Sequence, residues 1–323
     1  MRASDFPDDQ TQPQQAAGYN FRAGATIDQR YTLLRLLGKG GMGEVWEARH
    51  ATLDRLVALK LVRVGGEMRV RLLHEAKLLA SLHHSAIVSV HDAGVTADGV
   101  GYLAMDVLVG TSLATRLEHG RLAVREGVAL FVELLTGLEA AHAAGIVHRD
   151  IKPDNVLLVA RGGRQAPTLI DFGIAVPIAG AGAHVDLAGT PVYMAPEQLT
   201  GQACDQRTDI WSTCVSLYET VTGRMPFSGA DLAGTAQQVI ELPLSYPTDV
   251  ADFDGRLWAI VTRGLRKAPA DRIGSATELR TALAAWLAQG LGAGTPPPPP
   301  RPNPGVLTLS PFAALIRKKL TES

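Results

Sequence analysis

Apolar and polar positions alternate with a period near two in the first third of the chain and with a helical period through most of the rest. Residues 31–37, 44–49 and 55–62 read as short strands separated by a glycine-rich turn and a second turn at 52–54, which predicts an antiparallel sheet. Residues 67–82 carry Leu72, Leu73, Ala76, Leu79 and Ala80 at helical spacing, and two further strands are expected at 87–92 and 100–106. Past Leu108 the pattern turns to helices at 113–118, 124–144, 209–222, 230–239, 256–266 and 276–288. A strand-rich part followed by a helix-rich part predicts an α+β fold of two packed lobes, about 30–107 and about 108–288, with a ligand cleft where they meet.

Outside that span the pattern fades. Residues 1–29 are rich in Gln, Asp, Ala and Gly without sustained period and read as a flexible tail, so order is expected to begin near Tyr31. A Pro/Gly-rich stretch at 289–305 reads as an extended linker, with spacer as its expected role. The final segment, 306–323, contains PFAALIRKKL at 311–320, which has the composition of a short basic amphipathic helix and offers contact with a partner or a membrane surface. A solvated tail is the simpler reading of it.

Composition narrows the function classes. The 323 residues are 46% hydrophobic, ample for a sizeable core, and 31 basic against 32 acidic residues leave a net charge of -1. No global field therefore favours nucleic acid or an anionic membrane, and any phosphate site must be local. Cys204 and Cys214 are too few for a disulfide framework and have no metal-ligand company at a recognised spacing. With no signal-like start and no apolar run of about 18 residues, a cytoplasmic protein without a transmembrane segment is expected.

Candidate chemistry concentrates in His148-Arg149-Asp150-Ile151-Lys152-Pro153-Asp154-Asn155, where a carboxylate, an ammonium and an amide oxygen share one short loop. Phosphoryl transfer needs such groups together: one to hold the attacking hydroxyl, one to meet charge on the moving group and one to bind a divalent metal. Upstream, Gly38-Lys39-Gly40-Gly41-Met42-Gly43-Glu44-Val45 matches a GxGxxGxV pattern, whose glycines let backbone N–H groups approach phosphate oxygens. Here the pattern joins two expected strands, whereas a dinucleotide-binding turn joins a strand to a helix; an ordinary hairpin turn is the other reading. Lys60 ends the apolar Val57-Ala58-Leu59, and Glu75 on the next helix is a candidate partner for it. Asp171, in Asp171-Phe172-Gly173, would add a second hard oxygen ligand beside Asn155 for Mg²⁺, or for Mn²⁺ in its place.

Taken in order, GKGGMGEV, VALK, Glu75, HRDIKPDN, DFG and APE resemble the protein-kinase superfamily, in particular the bacterial eukaryotic-like serine/threonine kinases, over about residues 31–288. The resemblance implies a bilobal kinase-like fold: a small antiparallel N-lobe sheet with one main helix, and a larger, mainly helical C-lobe. It implies an ATP-dependent phosphotransferase acting on Ser and Thr hydroxyls of proteins. In that family pattern Gly38 through Gly43, with Lys39, Gly40, Gly41 and Met42 between, cover the phosphates; Lys60, fixed by Glu75, contacts them; Asp150 is the base; Lys152 indicates Ser/Thr acceptors; Asn155 and Asp171 hold the metal. Thr190 would brace Asp150 and Lys152. Leu37, Val45, Ala58 and Leu157 would sandwich adenine, with Met105 as gatekeeper and the backbone from Asp106 to Leu108 as hinge. Glu197 with Arg272, and Asp209, would be structural.

The chain departs from the pattern most in residues 174–189, which contain no Ser, Thr or Tyr. Kinases with Arg beside the catalytic Asp order this segment through a phosphorylated residue. Asp186 stands at the corresponding position, so a permanent carboxylate is expected to meet Arg149, with Arg71 nearby, and to give constitutive activity. A pseudokinase scaffold is the alternative reading, opposed by the intact Lys60, Asp150, Asn155 and Asp171; a small-molecule kinase is opposed by Gly189-Thr190-Pro191 and the APE segment. The residues leave substrate identity and dimerisation open.

Overall fold

Residues 21–40, 43–64, 66–172 and 191–289 are described by a computed structural model. The first lobe is a sheet of β1 (Thr26–Ile27), β2 (Tyr31–Gly40), β3 (Gly43–His50), β4 (Leu56–Arg63), β5 (Val90–Val95) and β6 (Val100–Met105), in the spatial order β1-β2-β3-β4-β6-β5, every pair antiparallel. Order begins before Tyr31, inside the stretch expected to be a tail: Thr26 and Ile27 pair with Thr32 and Tyr31, and Ile27 is buried. A two-residue strand is too short for periodicity to reveal. Residues 1–20 and 290–323, which hold the rest of that tail, the linker and the basic segment, lie outside the described residues.

Register assigns the sheet its two faces, because directly opposed residues in an antiparallel pair project to the same side. Trp46 pairs with Leu59 and Leu61 with Tyr102, and these residues join Tyr31, Leu33, Ala48, Val57 and Ala104 in a buried upper cluster. The other face carries Val45 opposite Lys60, Lys60 opposite Leu103, and Ala58 opposite Met105. That face looks into the interlobe cleft. The sheet curls strongly, since Tyr31 on β2 donates 2.6 Å to Asp92 on β5, and Arg30 meets the same carboxylate at 2.8 Å.

Helix α1 (Glu67–Ser81) packs on β5, burying Leu72, Ala76 and Leu79. The strand expected at 87–92 starts only at Val90. Ile87 and Val88 instead reach the other lobe: Val88 N–H donates 3.0 Å to the Leu169 carbonyl, and Leu169 N–H donates 2.8 Å to that of Ala86. An apolar run alone cannot say which backbone it will pair with.

The second lobe opens with β7 (Gly110–Ser112), α2 (Leu113–Leu117) and α3 (Val124–Ala143). β8 (Val156–Arg161) and β9 (Arg164–Leu169) form a hairpin that β7 extends to a three-stranded sheet. Periodicity gives no sign of β7 or β8, which are short and lack clean alternation. α4 (Pro196–Thr200), α5 (Gln206–Thr222), α6 (Leu232–Glu241), α7 (Gly255–Gly264) and α8 (Ala276–Ala288) complete it. α5 starts three residues before the expected position because the Asp205 side chain accepts 2.7 Å from Arg207 N–H and caps it. It is buried nearly all round; Ser212 donates to the Tyr193 carbonyl and Thr220 to that of Ser216, while the hydroxyls of Thr213 and Ser216 have no hydrogen-bond partner among the described residues.

Glu197 and Arg272 form a buried two-pronged pair, both contacts 2.6 Å. Thr208 also donates to Glu197, and Arg272 donates to the carbonyls of Arg266, Arg207 and Lys267, so neither charge lacks partners. Removing one partner strands the other in low dielectric. Glu197→Ala is expected to cost about 3–5 kcal/mol of unfolding free energy in urea titrations, and Glu197→Leu/Arg272→Met to recover most of it.

Candidate active site

The octapeptide follows α3 and is shaped from beneath by α5. Asp209, fully buried, accepts from the backbone N–H of His148 at 2.8 Å and of Arg149 at 2.7 Å, and contacts His142 Nε2 at 2.8 Å. Gln198 Nε2 donates 2.9 Å to the Arg149 carbonyl, while its Oε1 accepts from Ala195 N–H. Arg149 sits at φ 66°, a left-handed conformation that an Arg rarely adopts, and these bonds hold it there. His148 Nε2 lies 3.0 Å from the Ile170 carbonyl and its Nδ1 accepts from Asp150 N–H, which assigns the proton to Nε2. Its ring meets that of Phe172 at 4.5 Å. Burial lowers the His148 pKa, so the ring stays neutral.

That scaffold presents three of the expected groups together. Asn155 Nδ2 donates to the Asp150 carbonyl at 2.7 Å and to Asp150 Oδ2 at 2.9 Å, and Lys152 Nζ reaches the same Oδ2 at 3.0 Å. Among the described residues Asp150 Oδ1 receives no hydrogen bond and is open to a donor. With its amide nitrogen so committed, Asn155 turns its Oδ1 away, available to a hard cation. Asp171, at φ 57°, is the neighbouring carboxylate. Among the described residues no cluster of three or more His, Cys, Asp or Glu is set to hold a metal, so an ion on Asn155 and Asp171 would draw further oxygens from nucleotide and water.

The expected Lys60–Glu75 pair is not formed. Lys60 Nζ lies 3.2 Å from Asp171 Oδ1, and Glu75 Oε1 lies 3.4 Å from Arg149. Burial raises the Glu75 pKa, and the charges of Arg149 and Arg71 oppose that rise. Sequence spacing places Lys60 and Glu75 near the cleft, but which carboxylate Lys60 meets is decided in three dimensions. Asp186 and Thr190 lie outside the described residues, as do Gly41 and Met42.

The roof of the cleft separates its glycines by role. A Cβ on Gly43, at φ 145°, would come within 2.1 Å of the Leu61 carbonyl oxygen, so close strand packing alone requires glycine there. Gly38 and Gly40 have nothing within 4 Å of such a Cβ and no positive φ. They lie on the cleft face of the hairpin, and the packing of the fold does not account for them. Lys39 is paired with Glu44 at 2.9 Å. Below the roof, Ala58 and Met105 are buried, Val45, Asp106, Leu108 and Leu157 are half-buried, and Leu37 is exposed. Leu157 lies between buried Val156 and Leu158, so it faces the opposite way, toward the cleft. His142 and Gln198, which the sequence did not single out, carry no local signal; only the folded loop shows their use.

The protein kinase domain family matches residues 31–282. Among curated relatives, a probable serine/threonine-protein kinase of Streptomyces coelicolor is 37% identical over 271 residues, covering 80% of this chain and 40% of the relative. Serine/threonine-protein kinase pkn3 of Myxococcus xanthus is 35% identical, covering 81% and 51%, and PknA of Mycobacterium tuberculosis is 36% identical, covering 82% and 63%. The chain thus spans between two fifths and two thirds of these relatives' length. A crystal structure of Rad53 in complex with AMP-PNP superposes with a TM-score of 0.66 at 23% identity, covering 80% of this chain and 65% of that one, and shares the fold.

Two outcomes test this geometry. Because the folded His148 pKa lies below its unfolded value near 6.5, its contribution is complete above that pH and is lost as pH falls; urea unfolding between pH 7.5 and 5 should weaken by up to about tenfold per pH unit more in the native chain than in His148→Gln. Gly43→Ala should lower the melting temperature, while Gly38→Ala should change stability by no more than about 0.5 kcal/mol.

Proposed function

The chain belongs to the protein kinase domain family, and on that footing we propose that it is a serine/threonine protein kinase, transferring the γ-phosphoryl group of ATP to Ser or Thr hydroxyls of protein substrates in the cytoplasm. The observation that carries the reading is the Asp150 carboxylate, held on one oxygen by Asn155 and Lys152 and open on the other. A substrate hydroxyl donating to Oδ1 is oriented for in-line attack and loses its proton to that carboxylate as the new bond forms. Lys152, already beside the base, faces the negative charge gathering on the moving group. Bound ATP with Mg²⁺, or Mn²⁺, supplies the phosphoryl group and the cationic charge that neutralises it.

The other assignments follow the chemistry of each position. Asn155 and Asp171 provide the protein's oxygens for the metal. Gly38, Lys39, Gly40, Gly41, Met42 and Gly43 cover the phosphates, and Lys60 reaches them once released from Asp171. Leu37, Val45, Ala58, Met105 and Leu157 enclose the adenine, with Asp106 to Leu108 offering backbone groups to its edge. Thr190 braces the base. In support of protein acceptors stand the names of the relatives and the Gly189-Thr190-Pro191 segment leading into α4.

Arg149 carries the regulatory part of the proposal. Asp186 competes with Glu75 for its guanidinium, and Arg71 favours an anion nearby. When Asp186 takes Arg149, Glu75 is freed to hold Lys60, and Lys60 leaves Asp171 to the metal. No hydroxyl in 174–189 is needed for this exchange.

With radiolabelled ATP and a generic basic protein, Asp150→Asn should slow transfer by about 10²–10⁴-fold while the KM for ATP changes little; transfer at the native rate would remove Asp150 as the base. Asp186→Ala and Asp186→Thr should each lower activity several-fold without lowering melting temperature. Full activity in Asp186→Ala would rule out the exchange at Arg149.

A further inference from the structure

Away from the cleft, the second lobe has a cavity of about 220 Å³ between α2, α3 and the β8–β9 hairpin. Its apolar lining is Leu122, Ala129, Leu130, Leu158 and Pro167, and its charged rim is Arg116, Glu126, Glu133 and Arg164. It is smaller than the roughly 300–1,000 Å³ of small-molecule sites and suits one or two inserted side chains.

The end of the described chain lies beside it. Arg125 on α3 donates 2.5 Å to the Leu287 carbonyl at the end of α8 and covers the Trp286 ring, 5.7 Å from its centroid. Glu126, the next residue, is on the cavity rim, so the polypeptide leaves α8 about one helix face away from the opening. Residues 290–305 span up to roughly 50 Å at ~3.1 Å each when extended. Whatever follows them is present at high local concentration.

We propose that the cavity is the docking site for the C-terminal segment 306–323 of this same chain. Within it Ser310-Pro311 is the signature of a helix start, and Phe312, Leu315, Ile316 and Leu320 share one side of the helix that would follow, with Arg317 and Lys318 flanking. Phe312 and Leu315 would enter among Leu122, Leu130, Leu158 and Pro167, as amphipathic helices enter grooves. Charge agrees on the α3 side. Arg164 is neutralised by Glu133 at 2.5 and 3.0 Å, and Arg116 donates to the Gly120 carbonyl. Exposed Glu126 has no partner among the described residues and lies where the basic flank arrives. The segment then straps α8, α3 and the β8–β9 hairpin together, and β8 follows directly from the catalytic loop.

A fluorescein-labelled peptide of residues 306–323, followed by anisotropy, tests this against the full chain and a chain ending at Gly305, whose helices are all retained. The peptide should bind the shortened chain at least tenfold more tightly than the full chain, where the site is filled. Ala129→Arg and Glu126→Arg in the shortened chain should each weaken binding about tenfold at low salt with unchanged circular dichroism, and Phe312→Asp in the peptide should do the same. Equal binding to both chains, or to neither, overturns the proposal, as does insensitivity to both rim substitutions. So does sedimentation showing a dimer only for the full chain, which would place the segment on a second copy. Peptide capture by phosphatidylserine vesicles that the shortened chain fails to compete for would assign the segment to a membrane instead.

Discussion

A buried carboxylate without a full counter-charge is costly unless donors surround it, and Asp209 meets that condition only because the loop at 148–155 folds over it. Two loop N–H groups and His142 provide the donors. The dependence runs both ways: the loop owes its shape, including the left-handed Arg149, to an anion on α5, and the anion owes its tolerance to the loop. Asp150 is one residue beyond those anchored amides. Its position relative to Lys152 and Asn155 is therefore set by the core of the second lobe.

The four charges at the lobe boundary behave differently. Lys60, Asp171, Arg149 and Glu75 are two cations and two anions, each only partly buried and paired across the lobe boundary. An arrangement of this kind is biased by any further charge that arrives, whether a metal at Asp171 or a carboxylate at Arg149. Rigidity at Asp209 and exchangeability a few residues away are compatible because the first is fully dry and the second opens on the cleft. A segment strapped near β8 would act on the rigid part, by stabilising the hairpin that begins where the loop ends.

How much was legible depended on whether the signal was local. Ser275 caps α8, and that helix starts where its periodicity begins. Asp205 sits four residues ahead of the expected α5 start, and its capping role has no distinctive local signal because turns use the same residue types. Ile87 and Val88 had the right composition for a strand in the first lobe but pair with Leu169 in the second. The GxGxxGxV segment read as one motif, yet its glycines separate into one required by the Leu61 carbonyl and two left open to the cleft.

From the sequence alone came the division into a strand-rich and a helix-rich lobe, the family resemblance, and the residue types that phosphoryl transfer needs, because periodicity and short motifs are written in consecutive residues. Tertiary structure decided the partners: Glu75 with Arg149, Lys60 with Asp171, Gln198 on the loop backbone, and the cavity beside the end of α8. Those contacts join residues far apart in the chain, and their outcome rests on differences of desolvation and distance among competing groups, which spacing along the chain does not encode.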